Sequence, residues 1–194
     1  MGRAQGRDIP ELSEVAAAGE SAAALSLRLA GRPSAECLAN DVPAGTPADG
    51  MSTFNAGLAT GDVASFNMVI PNGCEDGEAN CKPVNNRYTQ FDNFLRREVP
   101  KIEASPAFGT NGVIIIVYDE DERAGGLAGK NELGSGGHVA CAILSPAAVP
   151  GSYDQKYFHY SVLRTIEDGF ALPGYLGNAN DVTPIASIWR APAG

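Results

Sequence analysis

The clearest strand signal in the chain is a run of five β-branched residues at positions 113–117, opened by Gly112. A short, continuously apolar run between turn residues is typical of a strand buried on both faces, as in a parallel sheet covered by helices. Two other apolar runs, at 66–70 and 139–144, have the same character. We therefore expect three neighbouring strands in one mostly parallel sheet.

Two segments place their apolar residues at helical spacing. In residues 88–105, Phe91, Phe94, Leu95 and Ile102 fall on one side, and Pro100 is expected to kink or restart the helix because proline lacks a backbone donor. Residues 157–170 form the second predicted helix, with His159 and a possible N-cap, Ser161, near its start and an expected surface pair of Arg164 with Glu167. The order of elements predicts an α/β fold, with a mostly parallel central sheet and helices on both faces.

The 194 residues are enough for one domain with a real core, and 44% of them are hydrophobic, as in ordinary soluble proteins. We expect residues 34–194 to form this domain. Residues 1–33, rich in Ala, Gly and Arg and with only a weak helical pattern, are expected to be a poorly defined amino-terminal segment. No internal repeat or linker indicates a second domain.

The net charge of −9 makes the backbone of a nucleic acid an unfavourable partner. No apolar stretch is long enough for a transmembrane segment. We also expect no signal peptide, because Asp8, Glu11, Glu14 and Glu20 interrupt the region where its apolar core would lie.

Two of the four cysteines, Cys74 and Cys81, flank a six-residue polar loop. This spacing favours a local disulfide, and hence an exported protein. A zinc site is the alternative, but it lacks nearby histidines. Cys141, within an apolar strand, is interpreted as a small buried hydrophobic residue.

Four acidic residues, at positions 119–122, directly follow the run at 113–117. In open α/β sheets, ligands bind at the carboxyl end of a central strand. Neighbouring carboxylates repel one another, which favours a metal ion or a shared proton between them. A solvated acidic turn is the simpler alternative.

Histidine occurs twice, as His138 behind a glycine-rich approach and as His159. An imidazole among glycines can come close to a ligand or a metal, although a surface or capping role is the alternative for His138. His159 is interpreted as structural. The chain contains no Gly-x-Ser-x-Gly elbow, no phosphate-binding lysine loop and no dinucleotide fingerprint.

Four segments, in order, resemble the bacterial and fungal phosphoesterase family of acid phosphatases and C-type phospholipases, within the alkaline-phosphatase superfamily. They are residues 66–77 (FNMVIPNGCEDG), 117–120 (VYDE), 136–140 (GGHVA) and 159–170 (HYSVLRTIEDGF). The resemblance implies that Asp119 and Glu120 are metal ligands, that Asp76 is an active-site aspartate, and that His138 lies next to the phosphate or metal site. It also implies an extracellular or periplasmic location and an alkaline-phosphatase-like fold.

The chain departs from the family pattern in two places. Glu78 stands where the family has a histidine, and residues 1–33 contain neither the Glu-Asn metal pair nor the Ser or Thr nucleophile that the family places upstream. We therefore expect the carboxyl-terminal part of such a domain, incomplete at its amino terminus. If a nucleophile is present after all, Ser52 and Thr53 are the first candidates and Ser135 the next.

Three functions follow from these observations. The first is a hydrolase of phosphate esters, assisted by a divalent metal ion and acting on a small molecule or a phospholipid headgroup. The second is a catalytically inactive phosphoesterase-like domain that retains a metal- or phosphate-binding site. The third is a secreted binding module stapled by a disulfide.

Overall fold

The computed structural model describes residues 12–16, 35–46, 50–121 and 137–190. The chain divides into two compact units, Met1–Gly109 and Thr110–Gly194. The expected domain boundary near residue 33 lies outside the described residues. No helix in the described part of the chain combines the length and the hydropathy needed to cross a bilayer.

The amino-terminal unit contains a parallel sheet of three strands in the order β2, β1, β3. Its elements are β1 (Leu12–Ala16), α1 (Ala35–Asn40), β2 (Asp41–Pro43), α2 (Ser52–Thr60), β3 (Phe66–Ile70) and α3 (Arg87–Glu103). The helix that the weak pattern in residues 1–33 predicts is wrong over Leu12–Ala16. This segment is strand β1, which pairs with β2 on one side and with β3 on the other. Backbone pairing to two neighbours overrides a weak local preference.

Helix α3 confirms the helix predicted for residues 88–105. Its Phe94 is buried in a core with Ala44, Met51, Phe54 and Leu58, and the predicted stripe residues Phe91, Leu95 and Ile102 pack against that core. The helix begins after Asn86, whose side chain accepts a hydrogen bond from the Thr89 N–H at 2.9 Å. It continues through Pro100 to Glu103, because a proline this close to the end interrupts only the last turn.

The carboxyl-terminal unit contains a two-stranded antiparallel sheet and one α-helix among the described residues. The strands are β4 (Ile114–Val117) and β5 (Cys141–Leu144), with Val117 opposite Cys141. Helix α4 (His159–Gly169) packs against a 3₁₀ helix, Gly177–Asp181. Ala179, Ile185 and Ile188 are buried in this unit.

The mixed α/β class is confirmed, but the expected single sheet is wrong. β3 belongs to the parallel sheet of the first unit, whereas β4 and β5 form a separate antiparallel pair. The hydrophobic pattern of a strand does not record the direction of its neighbour, and the long connection between β4 and β5 permits either direction.

The strands of the second sheet are also less buried than their composition predicts. Ile114, Ile115 and Ile116 are half-buried, while Val113 and Val117 are 45% and 38% exposed. The expectation that Cys141 is buried is wrong, since this cysteine is exposed at the start of β5. Among the described residues, each of the two strands has one hydrogen-bonded neighbour.

Candidate functional site

The loop after β3 is closed by a disulfide between Cys74 and Cys81, which confirms the predicted pairing. The two Cα atoms are 5.6 Å apart, a normal span for this bond. At the start of the loop, the carbonyl of Asn72 accepts the N–H groups of Glu75 and Asp76, at 2.7 and 3.0 Å. The loop therefore begins with a tight turn directly at the end of the strand.

Asp76 is half-buried within this loop. Its Oδ1 accepts the N–H of Glu78 at 2.8 Å, which fixes the orientation of the carboxylate. Oδ2 makes no hydrogen bond to the described residues, so one oxygen remains available to a ligand. Glu78, two residues further along the loop, is exposed.

One side chain of α3 holds this loop on both sides. Gln90 is only 7% exposed; its Nε2 donates to the carbonyls of Cys74 and Ala79, and its Oε1 accepts the N–H groups of Cys81 and Asn86. Gln90 was not among the residues predicted from the sequence to be functional. The available signal was a polar residue one helical turn before Phe94, on the face of the helix that is buried.

A charged network runs from the same loop into the core of the unit. Arg97 contacts Glu75 at 2.7 Å and Glu98 at 2.6 Å, and the carboxylate of Glu98 also accepts from Asn55 and Lys101, each at 3.0 Å. Glu98 is 2% exposed. Burial raises the pKa of Glu98, but the hydrogen bonds from Asn55, Arg97 and Lys101 lower it more, so the net pKa lies below its ordinary value. The charged form of Glu98 therefore anchors Arg97, and Arg97 anchors the neighbour of Asp76.

A cavity of about 240 Å³ lies between the disulfide loop and α3. Its polar lining comes from Glu75, Lys82, Gln90, Asn93 and Arg97, and its apolar lining includes Pro83 and Val84. Asp76 is not among its lining residues, whereas its neighbour Glu75 is.

The second candidate region is the strand exit, residues 118–121, which follows β4. The N–H of Tyr118 donates to the carbonyl of Ala140 at 3.4 Å, and Asp119 Oδ1 accepts the N–H of Glu120 at 2.9 Å. The side chains of Asp119 and Glu120 are exposed. Because β4 ends at Val117, the two acids lie beyond the regular strand, where adjacent side chains are not forced to opposite faces. Glu122 lies outside the described residues.

His138 is exposed and follows Gly137, which lies against the strand exit. Gly137 has a φ of +86°, and a Cβ added there would lie 2.6 Å from the Cβ of Asp121. Only glycine permits this approach without a shift of the backbone. The fold therefore brings the segment of His138 beside the acidic residues. Residues 134–136, which complete the predicted glycine-rich approach, lie outside the described part of the chain.

The start of α4 also contacts the strand exit. His159 Nε2 lies 2.8 Å from the carbonyl oxygen of Tyr118. The prediction that Ser161 is the N-cap is wrong, because Phe158 occupies that position. Ser161 is the third residue of the helix, and its Oγ accepts the N–H of Phe158 at 3.2 Å. Serine at this position satisfies the backbone N–H of the N-cap residue, as the second half of a capping box does.

The predicted pair of Arg164 with Glu167 is wrong as well. Arg164 instead pairs with Asp168 at 3.0 Å, one full helical turn along. Glu167 is 2% exposed, and its Oε1 accepts the N–H of Leu176 at 2.9 Å. Glu167 lies on the buried face of α4, whereas Arg164, half-buried, extends towards Asp168 and the carbonyl of Ala179.

A divalent cation is compatible with the chemistry of the strand exit but needs further ligands. Asp119 and Glu120 supply adjacent exposed carboxylates, the oxygen donors that hard cations prefer. Within residues 12–16, 35–46, 50–121 and 137–190, no three His, Cys, Asp or Glu side chains come together as a ligand group. Waters and substrate oxygens commonly complete such sites around one or two carboxylates.

Comparison with known protein families finds a match over residues 29–173 to a family described as the phosphoesterase family. A curated relative, the phosphatidylinositol-3-phosphatase of Mycobacterium tuberculosis, is 29% identical over 130 residues, which are 66% of this chain and 36% of the relative. The chain thus spans little more than a third of the length of that relative. No solved structure matches the chain. Asp76, Asp119, Glu120 and His138 all lie within the matched residues.

Proposed function

The chain belongs to the phosphoesterase family, and on this premise we propose that it acts in the metal-assisted hydrolysis of phosphate esters. The observation that carries the proposal is the strand exit, where two exposed carboxylates follow a hydrogen-bonded strand end directly. The similarity to a protein named as a phosphatase supports the same reaction class.

In the carboxyl-terminal unit, Asp119 and Glu120 are proposed to hold the cation. A bound divalent ion would offset the negative charge of the phosphoryl oxygens and orient the ester. Asp119 Oδ1 already accepts the Glu120 N–H, so the carboxylate is oriented before any ligand arrives. His138, exposed beside this region, is proposed to donate a hydrogen bond to a phosphoryl oxygen or a proton to the leaving oxygen.

In the amino-terminal unit, Asp76 is proposed as an active-site carboxylate of the disulfide loop. Its orientation is supported by the bond from the Glu78 N–H, by Gln90 and by the Arg97–Glu75 ion pair. Side chains that are held by neighbouring hydrogen bonds lose little freedom when a ligand binds. The parallel sheet that carries this loop supports an alkaline-phosphatase-like architecture.

The proposed substrate is a phosphate monoester or diester of a small molecule or of a phospholipid headgroup. The relative is named for a phosphorylated inositol lipid, which makes phosphorylated inositol headgroups the first class to assay. The Cys74–Cys81 disulfide supports a proposed extracellular or periplasmic location, where disulfides persist.

A second candidate function is that of a catalytically inactive phosphoesterase-like domain, which binds a metal ion or phosphate but does not hydrolyse phosphate esters. The exposed carboxylate of Glu78 favours it, because a carboxylate repels phosphate at a position where the resemblance implies a histidine. The nucleophile candidates Ser52 and Thr53 are exposed at the first turn of α2, and Ser135 lies outside the described residues. Cation binding without turnover is the behaviour that this second function predicts.

Calorimetric titration with Mg²⁺, Ca²⁺, Mn²⁺ and Zn²⁺, beside assays with an aryl phosphate and inositol phosphates, tests both functions. The double variant Asp119→Ala, Glu120→Ala should bind the cation at least about tenfold more weakly than the parent. Asp154→Ala, which removes an exposed acid from the same unit, is the matched control and should bind as the parent does. Unchanged affinity in the double variant contradicts the metal assignment, and turnover by the parent decides between the two functions.

A further inference from the structure

His159, the first residue of α4, reaches back 41 residues in the chain to the strand exit. Its Nε2 lies 2.8 Å from the carbonyl oxygen of Tyr118. A carbonyl oxygen can only accept a hydrogen bond, so Nε2 must carry the proton and donate it. The partner thereby determines which ring nitrogen is protonated.

The peptide group that His159 contacts is the one that leads into Asp119. A peptide bond is planar, so fixing the carbonyl of Tyr118 also fixes the N–H and the Cα of Asp119. The preceding peptide is held by the bond from Tyr118 N–H to Ala140, and the following one by the bond from Glu120 N–H to Asp119 Oδ1. Three consecutive peptide groups are thus oriented, the middle one by the bond from His159.

The histidine is itself held by the buried part of the unit. Ser161, 1% exposed, accepts the Phe158 N–H through its hydroxyl, and its carbonyl accepts the hydroxyl of Thr165 at 2.7 Å. The hydroxyl of Thr165 in turn accepts the N–H of Ile185 at 2.8 Å. The backbone of His159 therefore starts from a helix end that is hydrogen-bonded into the core.

From this geometry we propose that His159 is a positioning residue for the cation site, and not a ligand of it. The inference rests on the proposed function, in which Asp119 and Glu120 hold the cation. His159 Nε2 donates its hydrogen bond to the carbonyl oxygen of Tyr118. This bond orders the backbone that carries the side chains of Asp119 and Glu120. Loss of the bond leaves the strand exit with more conformations, which cation binding must then restrict at a cost in affinity.

Three variants test the proposal. His159→Phe keeps a planar ring but removes the donor, His159→Gln restores an N–H donor at similar reach, and Tyr157→Phe, the matched control, removes one surface hydrogen bond to Ser187 in the same unit. In calorimetry with Mn²⁺, His159→Phe should bind about 10-fold or more weakly, while the glutamine variant and the control bind nearly as the parent does. A His159→Phe variant with the parent's affinity overturns the proposal, and so does a glutamine variant as weak as the phenylalanine one.

A second readout separates this inference from the proposed function. Amide hydrogen exchange of residues 118–120, measured without any cation, reports whether His159 orders the strand exit. Faster exchange in His159→Phe, reversed in His159→Gln, supports the ordering role; unchanged exchange overturns it. If the parent binds none of the four cations, the proposed function fails, and the exchange result alone decides whether the histidine orders this segment.

Discussion

Cys81 donates its backbone N–H to Oε1 of Gln90 across 2.9 Å. The same side chain donates through Nε2 to the carbonyl of Cys74, so the two residues joined by the disulfide are also joined through α3. The disulfide closes the loop that carries Asp76, whereas Gln90 sets where that loop lies relative to the helix.

Replacing Gln90 with Leu should destabilise the protein by about 1–3 kcal/mol, because three backbone groups of the disulfide loop and the N–H of Asn86 lose their partner. Urea unfolding measures this change. Gln155→Leu, at an exposed position, is the matched control and should change stability by less than about 0.5 kcal/mol. Equal stability of the two variants would show that water forms hydrogen bonds with these backbone groups as favourably as Gln90 does.

The disulfide makes a separate contribution. The double variant Cys74→Ser, Cys81→Ser should lower the free energy of unfolding by about 2–3 kcal/mol in the chain-entropy model of a short loop. Cys141→Ser, which changes the free, exposed cysteine of β5, serves as the control and should have little effect. Mass spectrometry of a non-reduced digest cleaved after Glu75 and Glu78 should find the two halves of the loop still linked.

Stability should depend on pH through Glu98. Its pKa in the folded protein is lowered below the ordinary value of 4.5, since the hydrogen bonds it accepts outweigh the effect of burial. Its contribution is therefore complete above about pH 4.5 and is lost as the pH falls through the lowered folded value. Thermal unfolding between pH 2 and 7 measures this loss.

A variant pair isolates the contribution of Glu98. Glu98→Gln should flatten the acid side of the stability profile and should lower stability at neutral pH by about 1–3 kcal/mol, because charge-assisted hydrogen bonds become neutral ones. Glu103→Gln changes an exposed acid of the same helix and should keep the acid dependence of the parent. An unchanged profile in Glu98→Gln would assign the acid dependence to other carboxylates.

Gly137→Ala should disturb the strand exit. The new Cβ would lie 2.6 Å from the Cβ of Asp121, and the φ of +86° is unfavourable for an L residue by about 1–2 kcal/mol. We expect a lower melting temperature and, on the proposed function, weaker Mn²⁺ binding. Gly169→Ala is the control, because nothing lies within 4 Å of a Cβ there. Equal melting temperatures and equal Mn²⁺ affinities of the two variants would show that position 137 does not require glycine.

Much of the local structure could be predicted from the sequence. The stripe of Phe91, Phe94 and Leu95 predicted α3, and the seven-residue separation of Cys74 from Cys81 predicted their bond. Four short motifs in the family's order predicted the family. These features depend on residues close together in the chain, where helical spacing and short-loop geometry allow few alternatives.

The pairing of strands and the partners of polar side chains were decided by the tertiary structure. The apolar runs of β4 and β5 fit a parallel and an antiparallel sheet equally well, and the folded chain pairs them antiparallel. In the same way, the contacts of Gln90 with the disulfide loop and of His159 with Tyr118 join segments brought together by folding. The sequence by itself determined β3, β4, β5, α3, α4 and the disulfide loop, because those choices depend on local periodicity and spacing, whereas β1 was decided by pairing to its two neighbours. The tertiary structure decided how Asp76 and the Asp119–Glu120 pair are held, because the hydrogen bonds that orient their loops come from helices whose final positions no local pattern specifies.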